Sequence, residues 1–169
     1  KRLLDYAKTK GIQIHQGGVE ELAKGRTQVD LVILSHVIEH WNNFDLEFQN
    51  LKKILKPNSL VFIEVPGINK QPNNSAFCDF LGDIHIPHFY YFSPKVLKNI
   101  FERNGFETIH IDDEIKCIFK LKENNIKLVN NKKNTIQILK KREFSRKINM
   151  LIPVLKNFIK FCLRIERQY

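Results

Sequence analysis

The chain has 169 residues and a net charge of +10. That length predicts one domain with a core of its own, and no apolar run approaches the ~18 residues that a membrane-spanning helix needs. Its three cysteines, Cys78, Cys117 and Cys162, are odd in number and widely spaced, which argues against a disulfide framework or a thiolate metal site and for free thiols in a reducing compartment.

Lys1 to Lys10 sets Leu3, Leu4, Tyr6 and Ala7 among charges, as the last turns of an amphipathic helix do, and Gly11 is a good stop. The chain thus opens already in a helical pattern, and the expectation is that an earlier part of the fold precedes Lys1. Ile12 to His15 reads as a short strand, Gly17-Gly18 as a turn, and Val19 to Ala23 as a helical turn or two. Gly25 to Gln28 is a loop.

Val29 to His40, VDLVILSHVIEH, follows. Leu31 to Leu34 is an unbroken apolar run, the pattern of a parallel strand buried on both faces. The chain then turns polar at Ser35 and His36. Ligands of open α/β sheets sit beyond the carboxyl ends of such strands, so Ser35, His36, Glu39 and His40 become the first candidates for a site.

Asp45 to Leu55 is a predicted helix with Phe44, Phe48, Leu51, Ile54 and Leu55 on its apolar side and Asn42 or Asn43 as cap. Lys56-Pro57-Asn58 ends it, and Leu60 to Val65 is a second apolar strand. A long polar loop, Ile68 to Pro87, follows; loops of that length are more often functional than idle. Ser93-Pro94 caps a helix whose buried side carries Val96, Leu97, Ile100 and Phe101, and Gly105 ends it. Phe106 to Ile111 and Ile115 to Leu121 read as two mutually antiparallel strands about the turn Asp112-Asp113. Asn124 to Asn134 reads as loop. Phe144, Ile148, Leu151, Ile152, Leu155, Phe158, Ile159 and Leu163 then recur at helical spacing among Lys and Arg, a basic amphipathic helix interrupted or kinked at Pro153.

The charge is concentrated in that tail. From Lys120 to Tyr169, fourteen Lys and Arg face three Glu, a net of +11, so the remainder carries about −1. This points to an acidic partner for the tail, and a solvated helix face is the plain alternative. The alternation of elements predicts an α/β fold: a Rossmann-like, mostly parallel sheet flanked by helices, with an antiparallel C-terminal hairpin. Residues 1–122 form the domain and 123–169 a basic linker and helical tail.

The strings VDLVILSHVIEH and LKKILKPNSLVFIEVP, with HIPHFYYFSPKVLKNIFERNGFE from His85 to Glu107, resemble the latter half of a class I S-adenosylmethionine-dependent methyltransferase. The last string is most similar to the branch that modifies sugars and other small metabolites. Asn58-Ser59 stands where that family has glycine. The family's glycine-rich loop and the acidic residue of its second strand have no counterpart in these residues. The resemblance therefore implies a fold lacking its first strands. It implies S-adenosylmethionine as cofactor, met by Gly18, Val19, Ser35, His36 and Val37; Gly18 stands where an acidic residue often reaches the adenine. It also implies a small-molecule or glycan acceptor near His85, Tyr90 and Tyr91, a cytoplasmic setting, and a missing N-terminal half as a partner.

Methyl transfer requires alignment of donor and acceptor and, for a hydroxyl or carbon acceptor, removal of a proton. Histidine suits that step because its ordinary pKa is near neutrality. His88 is the first candidate, with His40 and Glu39 beside it; structural roles in the loop and turn are the plain alternatives. No metal ligands are assigned. The literal string His36-x-x-Glu39-His40 also matches a zinc peptidase signature, but it follows a buried strand instead of lying within a helix. A third class is a non-catalytic remnant or interaction module anchored by the tail. For the tail itself, an anionic membrane surface at the inner face is the expected partner, and nucleic acid is disfavoured because aromatic residues do not interleave its charges.

Overall fold

The computed structural model describes residues 2–25, 28–69, 81, 84, 87–122 and 128–165. Cys78 and His85 lie outside them, as does most of the long loop.

Helix α1 spans Arg2–Thr9 and stops at Gly11, whose φ of +74° lies in the left-handed region. Helix α2 is Val19–Lys24, β1 is Val29–Ser35, and α3 is Phe44–Ile54. Asn43 caps α3, its side chain accepting from the Leu46 amide at 3.1 Å. Strand β2, Leu55–Glu64, follows without a break, and α4, Pro94–Arg103, opens on a Ser93 cap that accepts from the Val96 amide. Strands β3, Phe106–Ile111, and β4, Lys116–Leu121, precede the 34-residue helix α5, Lys132–Ile165.

The described sheet has the order β1-β2-β4-β3. β1 and β2 are parallel, and β4 runs antiparallel to both its neighbours. Three strands thus share one direction and β4 is reversed between β2 and β3, which realises the expected antiparallel hairpin in an α/β sheet.

Four expectations change. Among the described residues β1 is an edge strand that pairs with β2 alone, and it is not buried on both faces, since Leu31 and Ile33 on one face are 52% and 63% exposed. An apolar run reports hydrophobicity on both faces, but not whether a strand lies on both sides. Ile12 to His15 forms no ladder, because no described strand lies beside it. β2 begins at Leu55, five residues earlier than the apolar run indicated. The interruption is a bulge between Val29 and Leu31 in the register, where Asn58 takes a φ of +65°. Asparagine tolerates that region better than other side-chain-bearing residues, which is how it stands in for glycine. Finally, α5 absorbs Lys132 to Asn134 and continues through Pro153.

The core is aromatic. Phe48 of α3 is buried, with its ring 4.8 Å from Phe101, 5.6 Å from Trp41 and 5.8 Å from Phe106. Phe101 stacks on Phe119 at 4.1 Å. These rings join α3, α4 and the hairpin, and burial of each contributes roughly 1.5–3 kcal/mol.

Cys117 of β4 is buried in the same core. Burial, with a smaller effect from the Asp112 carboxylate, pushes its thiol up to about 12. The folded chain therefore keeps the proton where the unfolded chain, with a thiol pKa of about 8.5, releases it. This contribution to stability is full below the unfolded value and is lost as pH rises through the folded one. Urea midpoints are expected to fall as pH is raised from about 9 to about 11. A Cys117→Ala variant should show a shallower fall in the same titration.

The lead into α5 is pinned at two points. Asn131 is buried and donates from Nδ2 to the Ser93 hydroxyl at 2.7 Å. Asn99 of α4 holds Val129 by two hydrogen bonds, at 2.7 and 3.1 Å.

Candidate active site at the carboxyl end of the first strand

β1 ends at Ser35, whose hydroxyl donates to Glu64 Oε2 at 3.2 Å. The chain then turns sharply. His36 takes a φ of +53°, and its amide donates to the Glu64 carbonyl at 2.8 Å. A positive φ at a non-glycine residue costs free energy, and such residues collect at functional sites. Ile38–His40 forms a single 3-10 turn, with Ile38 and Glu39 fully buried.

Two hydrogen bonds bring the distant segment 87–89 onto this turn. The Phe89 amide donates to the Glu39 carbonyl at 2.9 Å, and the His40 ring meets the Pro87 carbonyl through Nδ1, also at 2.9 Å. His88 is thereby placed with its ring 4.9 Å from that of His40. Glu39, His40 and His88 each offer a ligand-type atom, and these atoms lie within 4.8 Å of one another. Glu39 is 0% exposed, and neither of its carboxylate oxygens has a hydrogen-bond partner among the described residues. His36 Nδ1 stands 3.3 Å from Oε1, close enough for an ion pair but outside hydrogen-bond geometry.

Beside the turn is a cavity of about 640 Å³. One wall is the turn Gly17-Gly18 with Val19, Glu20 and Leu22 of α2. The floor is the open side of β1, including Leu31 and Ile33. The far wall is His36, Val37, His40 and Trp41, and Glu47 of α3 closes it. The volume is in the range of small-ligand sites, about 300–1,000 Å³. Glu20 accepts from the Gly18 amide at 3.0 Å; its own amide and that of Gly18 hold the carboxyl below its ordinary pKa. Burial, and then the charge of Glu20, raise Glu47.

Of the predicted residues, the structure brings Gly18, Val19, His36, Val37 and His40 to one cavity, with Glu39 and His88 adjoining through His40. Ser35 is not among the lining residues. Tyr91 has its ring 5.7 Å from His88. Tyr90 packs on Phe44 at 5.1 Å and is partly exposed. His85 is outside the described residues. The sequence reading missed Glu20 and Glu47. Glu20 sets a carboxylate against the Gly18 amide, and a side chain at Gly18 would meet it. The pair Glu20-Glu21 opening a helix was the available signal.

The peptidase arrangement is not formed. His36 precedes a 3-10 turn and does not lie one helical turn below His40, so the two imidazoles do not present one helical face. Glu39 itself, the base in that scheme, belongs with His40 and His88.

An apolar floor, carboxylates able to accept from amino or hydroxyl groups, and this volume fit an adenosyl group. A family model described as "Methyltransferase domain" matches residues 4–111. No curated protein matches the chain. Among solved structures, an O-methyltransferase family protein from Burkholderia thailandensis is similar at 12% identity and a TM-score of 0.46, over 74% of this chain and 40% of its own. TehB from Haemophilus influenzae is similar at 12% identity and 0.41, over 72% of this chain and 45% of its own. The chain thus spans less than half the length of either structure. With its mixed α/β sheet and a family match over more than half its residues, the chain belongs to the class I methyltransferase family, whose methyl donor is S-adenosylmethionine.

Proposed function

We propose that this domain transfers a methyl group from S-adenosylmethionine to a small-molecule or glycan acceptor. The observation that carries this reading is one cavity joining the Gly18–Glu20 turn to the His36–His40 turn, with Glu39, His40 and His88 at its end. The bound donor supplies an electrophilic methyl on a sulfonium sulfur. Val19, Leu31 and Ile33 offer the apolar surface for its adenine, and Glu20 an acceptor for its amino or hydroxyl hydrogens. His36 and Val37 bound the donor from the strand end. His88, His40 and Glu39 handle the acceptor's proton, and Tyr90 and Tyr91 flank the acceptor side.

Calorimetric titration with S-adenosylmethionine tests the reading. Saturable binding is expected, and Glu20→Ala should weaken it by about 10- to 100-fold, the worth of a charged hydrogen bond. A folded chain that takes up no donor would instead be a non-catalytic remnant.

The tail extends the proposal. No helix among the described residues is long and apolar enough to cross a membrane. Yet Phe144, Leu151, Leu155 and Phe158 are exposed on α5 among Lys and Arg. A basic helix with bare apolar side chains fits the surface of an anionic bilayer, with the domain at its cytoplasmic face. The chain is expected to pellet with vesicles containing phosphatidylserine and to stay in the supernatant with neutral ones. Leu151→Asp with Leu155→Asp should abolish pelleting, and an unchanged fraction would rule the membrane out.

A further inference from the structure

We infer that Glu39, His40 and His88 bind one divalent transition-metal ion, of the zinc or manganese kind. The purpose assigned to that ion below rests on the methyl-transfer reading; the site itself does not.

Three observations carry it independently. The first is proximity: one ligand-type atom from each residue lies within 4.8 Å of the others, a spread one ion can bridge. The second is Glu39. A fully buried carboxylate with no hydrogen-bond donor on either oxygen among the described residues is strongly unfavourable. His36 Nδ1, 59% exposed on its side chain, is a poor substitute for a buried cation. A metal ion at the cluster satisfies both the charge and the lone pairs. The third is His40. A carbonyl can only accept, so the 2.9 Å contact with Pro87 makes Nδ1 the protonated nitrogen and leaves the lone pair on Nε2. An imidazole fixed by a backbone carbonyl through one nitrogen is the usual state of a metal-bound histidine.

The donor set chooses the ion. Two imidazoles and one carboxylate suit zinc, iron or manganese, whereas magnesium prefers oxygen ligands throughout. Three protein ligands leave coordination positions open, and His40 is shared with the wall of the donor cavity. The open position therefore selects an acceptor through an oxygen, a hydroxyl-bearing molecule. Coordination lowers the pKa of that hydroxyl, and its proton passes to solvent. The oxygen lone pair forms the new O–C bond, while the C–S bond breaks with its electrons kept by sulfur. The sulfonium becomes a thioether, and charge balances. In this form Glu39, His40 and His88 handle the acceptor's proton through the ion they hold, by lowering the hydroxyl's pKa, and do not themselves take it up.

The test uses the chain after chelator treatment, without S-adenosylmethionine. CoCl2 is followed by visible absorption and ZnCl2 by calorimetry. One saturable site is expected, with cobalt bands that zinc abolishes and a zinc-dependent rise in melting temperature. Loss of a supporting hydrogen bond around a metal already costs about 10- to 100-fold in affinity, so Glu39→Gln, His40→Asn and His88→Asn should each cost at least about 100-fold. His110→Asn, at an exposed position of β3, should bind as the parent does. Circular dichroism shows which variants fold, and His88→Asn, outside the buried turn, serves if Glu39→Gln does not. No saturable uptake by the folded parent overturns the inference, as does zinc binding indifferent to Glu39→Gln and His88→Asn, or equal binding of magnesium. Donor binding without zinc binding would end this inference alone. Zinc binding without donor binding would end the methyl-transfer reading and leave the site.

Discussion

Urea unfolding of a Phe48→Ala variant is expected to lose about 3–5 kcal/mol relative to the parent chain. Phe48 is buried where α3 meets α4 and the hairpin, with rings from Trp41, Phe101 and Phe106 about it. Removing the ring takes away its burial and leaves a hole lined by other rings, whose backbones belong to different elements and do not collapse together. Stabilities of small domains total about 5–15 kcal/mol, so the variant should be largely unfolded at temperatures where the parent is folded. A loss below about 1 kcal/mol would mean that the aromatic core is not the element holding the layers together.

Glu39→Gln should move stability and function in opposite directions. In chelator, without metal, the substitution removes a buried charge that has no hydrogen-bond donor and keeps the shape of the side chain. A gain of about 1–3 kcal/mol is expected in a thermal or urea melt. On the role proposed for Glu39 in handling the acceptor's proton, methyl transfer is expected to fall by about 100-fold or more. Glu39→Ala separates charge from volume: it also removes the charge but opens a cavity beside Ile38, so it should gain less or lose. A Glu39→Gln variant less stable than the parent would show that the contact with His36 stabilises the carboxylate more than the lost hydration destabilises it.

Most elements of the fold were legible, because their signals are local. The Ser93-Pro94 start of α4, the Asn43 cap of α3 and the antiparallel pair about Asp112-Asp113 need only neighbours in sequence. What failed depends on partners. Leu31 to Leu34 is apolar enough for a central strand, yet edge or centre is decided by what pairs with the other side. The Ile12 to His15 segment alternates suitably but joins no ladder among the described residues. In the site, the run Ser35 to His40 announced itself by the abrupt change from apolar to polar. That His88 joins Glu39 and His40 depends on the bonds from Phe89 to Glu39 and from His40 to Pro87, across nearly fifty residues, which no local pattern encodes. Glu20 was hidden for a related reason: its carboxylate folds back onto the Gly18 amide, a placement that sequence position alone does not give.

The Ser93 hydroxyl serves two masters. It accepts from the Val96 amide, starting α4, and from Asn131 Nδ2, ending the lead into α5. The long rod, about 50 Å at 1.5 Å per residue, is consequently no slack leash. A load applied along it enters the domain as torque at the first turn of α4, next to the Phe89–Phe92 strip that carries Tyr90 and Tyr91. Whatever grips the rod gains leverage over that aromatic strip.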